Sequence, residues 1–499
     1  MIKNKKTVVI MGGGTAGLTI ANNIQEYFNV IIIEKSKYKK YPAWYKVPLF
    51  IGLLLRRKKT KYISKRNFVL TDGRHIPFFE SNLLGGASVI NGCVHMLGSK
   101  LQWNVILKKF NSNYADLIES YKNLYSLGAK NKNKISLTTA CQNSIDEAFI
   151  NALKVQDIHI GNMDYSDKQA CGPILNTTKK YFRTSVLSLI SKKYFKKYMG
   201  ESVENILFND SGKVIGVKTN KRVIDSDYVI LSGGVIGTCD LLLREKNNKE
   251  LDGTLNNLIV GNNVQDHTNI RINVSTIKSI DSLNEISESF YKKLLLVFKH
   301  FSGKPTLMRG TGATSAAHLD LDKDGKIDTR IQIVQFSESG RHGSDGKLFS
   351  SGQPGFSISI TAINPKSKGT VKLDGINNSV DPMYLSSKED IKLLKLALKF
   401  CLELLRSHTM SEHILKIEDE SEIENNPDKY IVNNFYSGYH LIGGSHDAIN
   451  SNFEVHNTKG LYVSDASIFN KYAASNIHSS VVLIADIFAK KFINQNFHL

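Results

Sequence analysis

The amino-acid order predicts the α/β class: a doubly wound parallel sheet, with an interleaved α+β domain built on an antiparallel sheet. Three observations predict it. Thr7-Val8-Val9-Ile10-Met11 is an apolar, β-branched run that passes into the turn Gly12–Gly17, a helical pattern over Leu18–Phe28 and a second run, Asn29–Glu34. That is the strand–turn–helix–strand unit that opens a parallel sheet. Strand patterns of the same kind return at Tyr228–Ser232, which runs into Gly233-Gly234, and at Gly460–Ser464, ahead of a closing helical pattern over Ser479–Phe492. Between Ile270 and Lys372 the pattern alternates instead, as in Arg330–Phe336 and Phe356–Ala362, which suits antiparallel strands. Val214–Thr219 reads as a further strand, and Asp390–Ser407 carries apolar residues at helical spacing.

Length and composition agree with two domains. At 499 residues the chain is too long for one simple core, and 41% hydrophobic with 22% charged residues excludes a disordered or fibrous protein. Five cysteines (Cys93, Cys141, Cys171, Cys239, Cys401) include no C-x-x-C pair. This argues against a disulfide framework or a zinc ribbon and for a reducing compartment, the cytoplasm. The Lys-rich start turns apolar only over Thr7–Met11 before Gly12-Gly13-Gly14 breaks the run, so no signal peptide is expected. No stretch of about 18 apolar residues is present, so no membrane-spanning helix is expected.

The formal charge is +19, but the lysines are spread along the whole chain and no nucleic-acid module accompanies them. They read as a solvated surface, and no nucleic-acid partner is expected. One local exception is Val47–Leu55, an apolar stretch followed by Arg56-Arg57-Lys58-Lys59. Two readings of Val47–Lys59 stay open: peripheral contact with a bilayer, or a buried element with a basic exit.

Gly12, Gly14 and Gly17 form G-x-G-x-x-G between strand and helix, with Gly13, Thr15 and Ala16 completing the turn. The first glycine permits the tight turn, the second lets backbone approach a pyrophosphate, and the third permits close helix–strand packing. A helix N-terminus then offers N–H groups and a positive dipole end to phosphate. Glu34, 22 positions after Gly12, is placed to accept hydrogen bonds from a ribose, and its charge repels a 2′-phosphate. The pattern indicates a dinucleotide site without choosing between FAD and NAD.

Further clusters follow in order. Leu84–Gly92 is rich in small residues, with Gly86, Ser88 and Asn91 suited to a flat ligand or, alternatively, to a plain turn. Val260–His267, His440 with Gly443–His446, Ser464–Ser467 and Ser475–His478 complete the set. Together with Pro365–Val371 and Asp381–Leu385, these clusters resemble in order and chemistry the glucose–methanol–choline (GMC) oxidoreductases, and the resemblance covers nearly the whole chain. The spelling His440-Leu441-Ile442-Gly443-Gly444 is most similar to the cholesterol-oxidase-like branch.

The resemblance implies a Rossmann-like FAD-binding domain over residues 1–100, 201–269 and 450–499, and a substrate domain over 101–200 and 270–449. It implies FAD as cofactor, with Glu34 on the adenosine ribose and Val203 on the adenine side. Asn91, Gly92, Cys93 and Val94 would line the flavin, and Asp465 and Ala466 the ribityl-pyrophosphate. His440 and Asn476 would be the catalytic pair. Ile90 stands where some relatives attach FAD through a histidine, so the FAD is expected to be non-covalent. The sequence also departs from the family pattern: Gly233–Cys239 lacks a usual Pro, Ile477 replaces a common Pro, and the segment after Gly98 keeps only Trp103.

Oxidising an alcohol removes a proton from oxygen and a hydride from carbon. A neutral imidazole suits the proton, and a carboxamide holds the oxygen without competing for it. The expected reaction is therefore oxidation of a small-molecule alcohol, with His440 as general base, Asn476 binding the oxygen, and O₂ or a quinone as electron acceptor. His446 and His478 are the substitutes for the base. A lyase that retains FAD, or a flavoprotein acting mainly by binding a membrane or anionic partner, are the alternatives. Asp320–Asp328 matches half of an EF-hand loop, but its twelfth position is Ile331 instead of Glu, so a polar turn is expected and no metal.

Overall fold

The computed structural model describes residues 5–56, 60–70, 73–128, 133–161, 167–190, 195–248, 255–338, 353–374 and 377–497. A five-stranded parallel sheet forms the first layer, in the order Lys196–Met199, Asn29–Glu34, Thr7–Met11, Tyr228–Leu231, Leu461–Val463. Val8, Val9, Ile10, Ile32, Val229 and Ile230 are fully buried in it, as continuous apolar strands covered on both faces must be. The order is why residues far apart in sequence meet. The turns after Met11, Leu231 and Val463 all open at the same end of the sheet, where ligands of doubly wound folds sit.

The first helix runs Thr15–Ile24, starting earlier than the apolar spacing suggests because Gly14 already serves as its N-cap. Phe28, expected in the helix, instead packs its ring 5.1 Å from Phe492 and 6.2 Å from Tyr228. The closing helix, Ile477–Asn496, packs against the first one. Lys196–Met199 lies on the edge of the parallel sheet, so a domain boundary after residue 200 cuts off one of its strands.

The second layer is an antiparallel sheet that includes Thr268–Thr276, Gly355–Ala362, Thr329–Val334 and Ala313–Leu319 as neighbours in that order. Its register puts Asn269, Thr361 and Arg330 in one cross-strand row, and Arg271, Ser359 and Gln332 in the next. The alternate residues Ile270, Ile272, Ile358, Ile360, Ile331 and Ile333 are fully buried in the core, and the helix Lys388–Leu405 packs on the Gly355–Ala362 strand. Each such isoleucine contributes about 1.5–3 kcal/mol by burial, so the register is firmly set and the polar residues must face the other way.

In the Val47–Leu55 stretch, Val47, Pro48, Ile51 and Leu54 turn inward. Ile51 and Leu54 join Tyr45, Ile63, Leu83, Val89 and Ile90 in a buried cluster, and Val47 and Pro48 are buried too. Bilayer contact through this stretch loses its apolar anchor, and residues 57–59 of the basic run lie outside the described residues. No helix among the described residues is long and apolar enough to cross a membrane.

Asp320–Asp328 joins two antiparallel strands. Its carboxylates serve the loop itself: Asp328 accepts from the N–H groups of Leu321 and Asp322, and Asp320 from those of Asp324 and Gly325. Ile331 lies in the following strand with no exposure.

Candidate active site

One cavity of about 1090 Å³ runs from the glycine turn to the polar face of the antiparallel sheet. Ligand pockets on the order of 300–1,000 Å³ hold drug-sized molecules, so this space takes a long ligand together with a small second one. At its first end Gly12 turns with φ +101°, and a side chain there would strike the Ser232 carbonyl. A Cβ on Gly17 would lie 2.0 Å from the Gly12 carbonyl oxygen, so that glycine permits helix–turn packing and does not border the cavity. Gly13 is also turned away: its N–H donates to Glu34 Oε2 at 2.7 Å and its carbonyl accepts from Gly85 N. Gly14, Thr15 and Ala16 border the cavity at a helix N-terminus with no side-chain cap and no acidic residue in its first turn. Glu34 borders it too, its other oxygen accepting from Ser36 N–H at 2.8 Å.

The segment Leu84–Val94 crosses over this turn. A Cβ on Gly86 would come within 2.9 Å of Gly14 Cα, so Gly86 must lack a side chain for the two backbones to pass. Gly86, Asn91, Gly92, Cys93 and Val94 border the cavity. Ser88 does not: it is fully buried, and its hydroxyl donates to the Gly85 carbonyl. Asn91 is held by Arg183, which donates to its carbonyl at 3.0 Å and to its side-chain oxygen at 3.2 Å. Val203 borders the cavity from the sheet Val203–Phe208 starts, and Asp465 and Ala466 from the turn after Leu461–Val463. The Asp465 carboxylate is spent on the protein itself, accepting from Gly234 N, Thr238 Oγ1 and Ser467 N. It thereby ties two glycine-end turns together.

At the far end His440 meets a partner that the sequence did not single out for a role. His267 Nδ1 lies 2.9 Å from His440 Nδ1, and His267 Nε2 lies 3.1 Å from the Ile363 carbonyl oxygen. A carbonyl only accepts, so His267 carries its proton on Nε2, and its Nδ1 must accept from His440 Nδ1–H. His440 Nε2 is then left as an unprotonated lone pair. Both rings are neutral: burial, then the Arg330 charge, pushes His440 down to about 3, and burial with His440 and Arg330 holds His267 well below its ordinary value.

Asp266 fixes this pair from behind. Fully buried, it accepts from the backbone N–H groups of His267 and His440 and from the hydroxyls of Ser437 and Tyr384. Burial pushes its carboxyl pKa up while those four donors pull it back. Tyr472 donates to the His440 carbonyl at 2.9 Å and lays its ring 3.8 Å from that of His267. The other candidate bases are worse placed. His446 is off the cavity, bonded to Asp447 at 2.8 Å, and His478 borders it with its Nε2 buried and, among the described residues, without the kind of hydrogen-bond partner that His267 gives His440.

Asn476, at the N-cap of the closing helix, borders the same end. Its Oδ1 accepts from Arg330 Nη1 at 2.6 Å, and its Nδ2 donates to the Val94 carbonyl at 3.4 Å. Arg330 is 3% exposed, and its remaining bonds are to Thr361 and Met96 and to no carboxylate among the described residues. Its charge therefore stands uncompensated in the cavity wall, and burial lowers its pKa to about 10. The sequence held one signal for it, an arginine in a strand whose alternate residues are isoleucines; Asp266 stood in the Val260–His267 cluster with no role assigned, and Tyr472 carried no signal.

Comparison with known proteins follows the same residues. Residues 365–485 match the family model described as GMC oxidoreductase. The chain is 22% identical over 552 residues to glucose dehydrogenase [FAD, quinone] of Drosophila pseudoobscura pseudoobscura, covering 96% of this chain and 85% of that one. It is 24% identical to the oxygen-dependent choline dehydrogenase of Vibrio vulnificus, covering 96% and 92%. Among solved structures, pyridoxine 4-oxidase from Mesorbium loti superposes with a TM-score of 0.80 at 16% identity, over 99% of this chain and 100% of that one. Formate oxidase gives 0.84 at 16% identity over 99% of each. The matched C-terminal stretch, which holds His440, Asp465 and Asn476, is that of a GMC oxidoreductase; the likeness to the dehydrogenases runs the length of the chain, and the fold is that of the two oxidases throughout.

Proposed function

We propose that the chain uses non-covalently bound FAD to oxidise the CH–OH group of a small alcohol to a carbonyl, with His440 as general base. The observation that carries this reading is the tautomer chain from the Ile363 carbonyl through His267, which leaves His440 Nε2 free to take a proton beside Asn476 in the cavity. The cavity suits FAD on its own geometry. Space is kept at Gly14 and Gly86, an uncapped helix N-terminus faces the phosphate position, and a fixed Glu34 carboxylate suits a ribose. Ile90 carries no group able to bond a flavin, which supports dissociable FAD.

Bound FAD supplies the hydride acceptor. The protein supplies proton handling and orientation. His440 Nε2 takes the hydroxyl proton while its Nδ1–H stays on His267. Asn476 offers its remaining amide hydrogen to the substrate oxygen, and the Arg330 bond to its carbonyl makes that amide a stronger donor. Negative charge that develops here meets the Arg330 cation and the N-terminus of the helix Ile477–Asn496.

The names of the relatives include quinone and oxygen, which supports either as electron acceptor here. Five free cysteines support a reducing, cytoplasmic location. Anaerobic mixing with a panel of alcohols, then reoxidation by air or quinone, tests the reading. Bleaching of the flavin is expected; a lyase of the same fold would leave it oxidised with every substrate.

A further inference from the structure

The helix Phe290–Phe301 presents a face that the oxidation chemistry does not use. Phe290 is 81% exposed, Tyr291 71%, Leu294 58%, Phe298 70% and Phe301 46%. At about 100° per residue these side chains fall within an arc of about 120°. Phe182 extends the patch, its ring 6.5 Å from that of Phe301, with Lys180 over the neighbouring Tyr181. A soluble monomer rarely leaves so many large apolar side chains together in water.

The helix is firmly held from the other side. His300 is fully buried, bonded to Thr306 and to the Tyr181 carbonyl, and Ser289 caps the N-terminus. Lys293 and Lys299 lie on either side of the apolar stripe, Lys292 is paired with Glu285 and Asp281 farther round, and no acidic residue lies on the helix itself. Lys293, Leu296 and Val297 border the cavity, so the stripe lies at the cavity's edge.

We propose that this helix docks the enzyme on an anionic lipid bilayer, with the aromatic stripe in the headgroup region and the lysines against the phosphates. An apolar stripe edged by lysines is the composition of interfacial helices, and each cation adds attraction to an anionic surface. A second copy of the chain is the poorer occupant, because isologous pairing would set lysines against lysines. The overall charge of +19 favours the bilayer further.

The test is co-sedimentation of the purified holoenzyme with vesicles of phosphatidylcholine alone or with about a third phosphatidylglycerol. Binding to the anionic vesicles, weakened by salt, is expected. The triple variant Phe290→Ser, Leu294→Ser, Phe298→Ser should bind at least tenfold less and oxidise a water-soluble alcohol as before. In a separate variant, Phe298→Trp, the emission should shift to the blue on adding anionic vesicles. Wild-type enzyme left in the supernatant, a triple variant that binds undiminished, or an unshifted Trp would each overturn the proposal. So would a wild-type dimer that ignores vesicles and becomes monomeric in the triple variant.

Discussion

Replacing His267 separates a tautomer-setting role from simple packing. His267→Leu leaves the His440 Nδ1–H without its acceptor at 2.9 Å. An unsatisfied buried donor costs about 1–3 kcal/mol, so the ring loses its preference for keeping Nε2 unprotonated by that amount. At about 1.4 kcal/mol per tenfold, flavin reduction should slow by about 5- to 150-fold. His267→Asn places a side-chain oxygen near the former Nδ1 and should recover most of the rate. Both variants lose the ring that lies 3.8 Å from Tyr472, so packing alone predicts equal damage. The assay is anaerobic stopped-flow bleaching, with flavin content and melting temperature measured on each variant. A Leu variant within about threefold of wild type, or an Asn variant as slow as Leu with full flavin content, refutes the reasoning.

Glycine substitutions should divide by what fills the space. Gly14→Ala has no atom nearer than 4.0 Å and should fold within about 1 kcal/mol of wild type yet lose flavin, whereas Gly17→Ala, with 2.0 Å to a backbone oxygen, should fail to fold; flavin content and thermal melts distinguish them. Arg330→Gln should slow flavin reduction by about 10²-fold and, by removing a cation that depresses His440, move the acid limb of the pH–rate profile upward; an unmoved limb contradicts this. His318, 3% exposed, is held neutral by burial with its pKa down to about 3. Its contribution to stability is complete above about pH 6.5 and is lost as pH falls toward 3, at about 1.4 kcal/mol per pH unit. Urea unfolding of His318→Gln should therefore show a shallower acid loss than wild type, and equal slopes would contradict the assignment.

The cofactor end of the molecule was legible in sequence because its constraints are local. Gly12, Gly14, Gly17 and Glu34 act within one strand–turn–helix–strand unit, and their spacing is their geometry. The far end was only partly legible. His440 and Asn476 stand in recognisable clusters, but their partners arrive through strand pairing across more than a hundred residues. Asp266 and His267 reach His440 because the strand Tyr436–Ser437 pairs with Thr268–Thr276. Arg330 reaches Asn476 because its strand pairs with Gly355–Ala362 in one particular register. Apolar patterning left two readings open at Val47–Leu55, because the same pattern suits a bilayer or a core, and the packing of Ile51 and Leu54 decides for the core.

The most direct measurement is anaerobic titration of the purified protein with alcohols while its visible spectrum is followed. The protein should be yellow, release its flavin on denaturation and be bleached by at least one alcohol, with the His440→Ala variant yellow but slower by about 10²–10⁴-fold. A colourless polypeptide that refuses FAD on reconstitution would contradict it, as would a His440→Ala variant bleached at the wild-type rate.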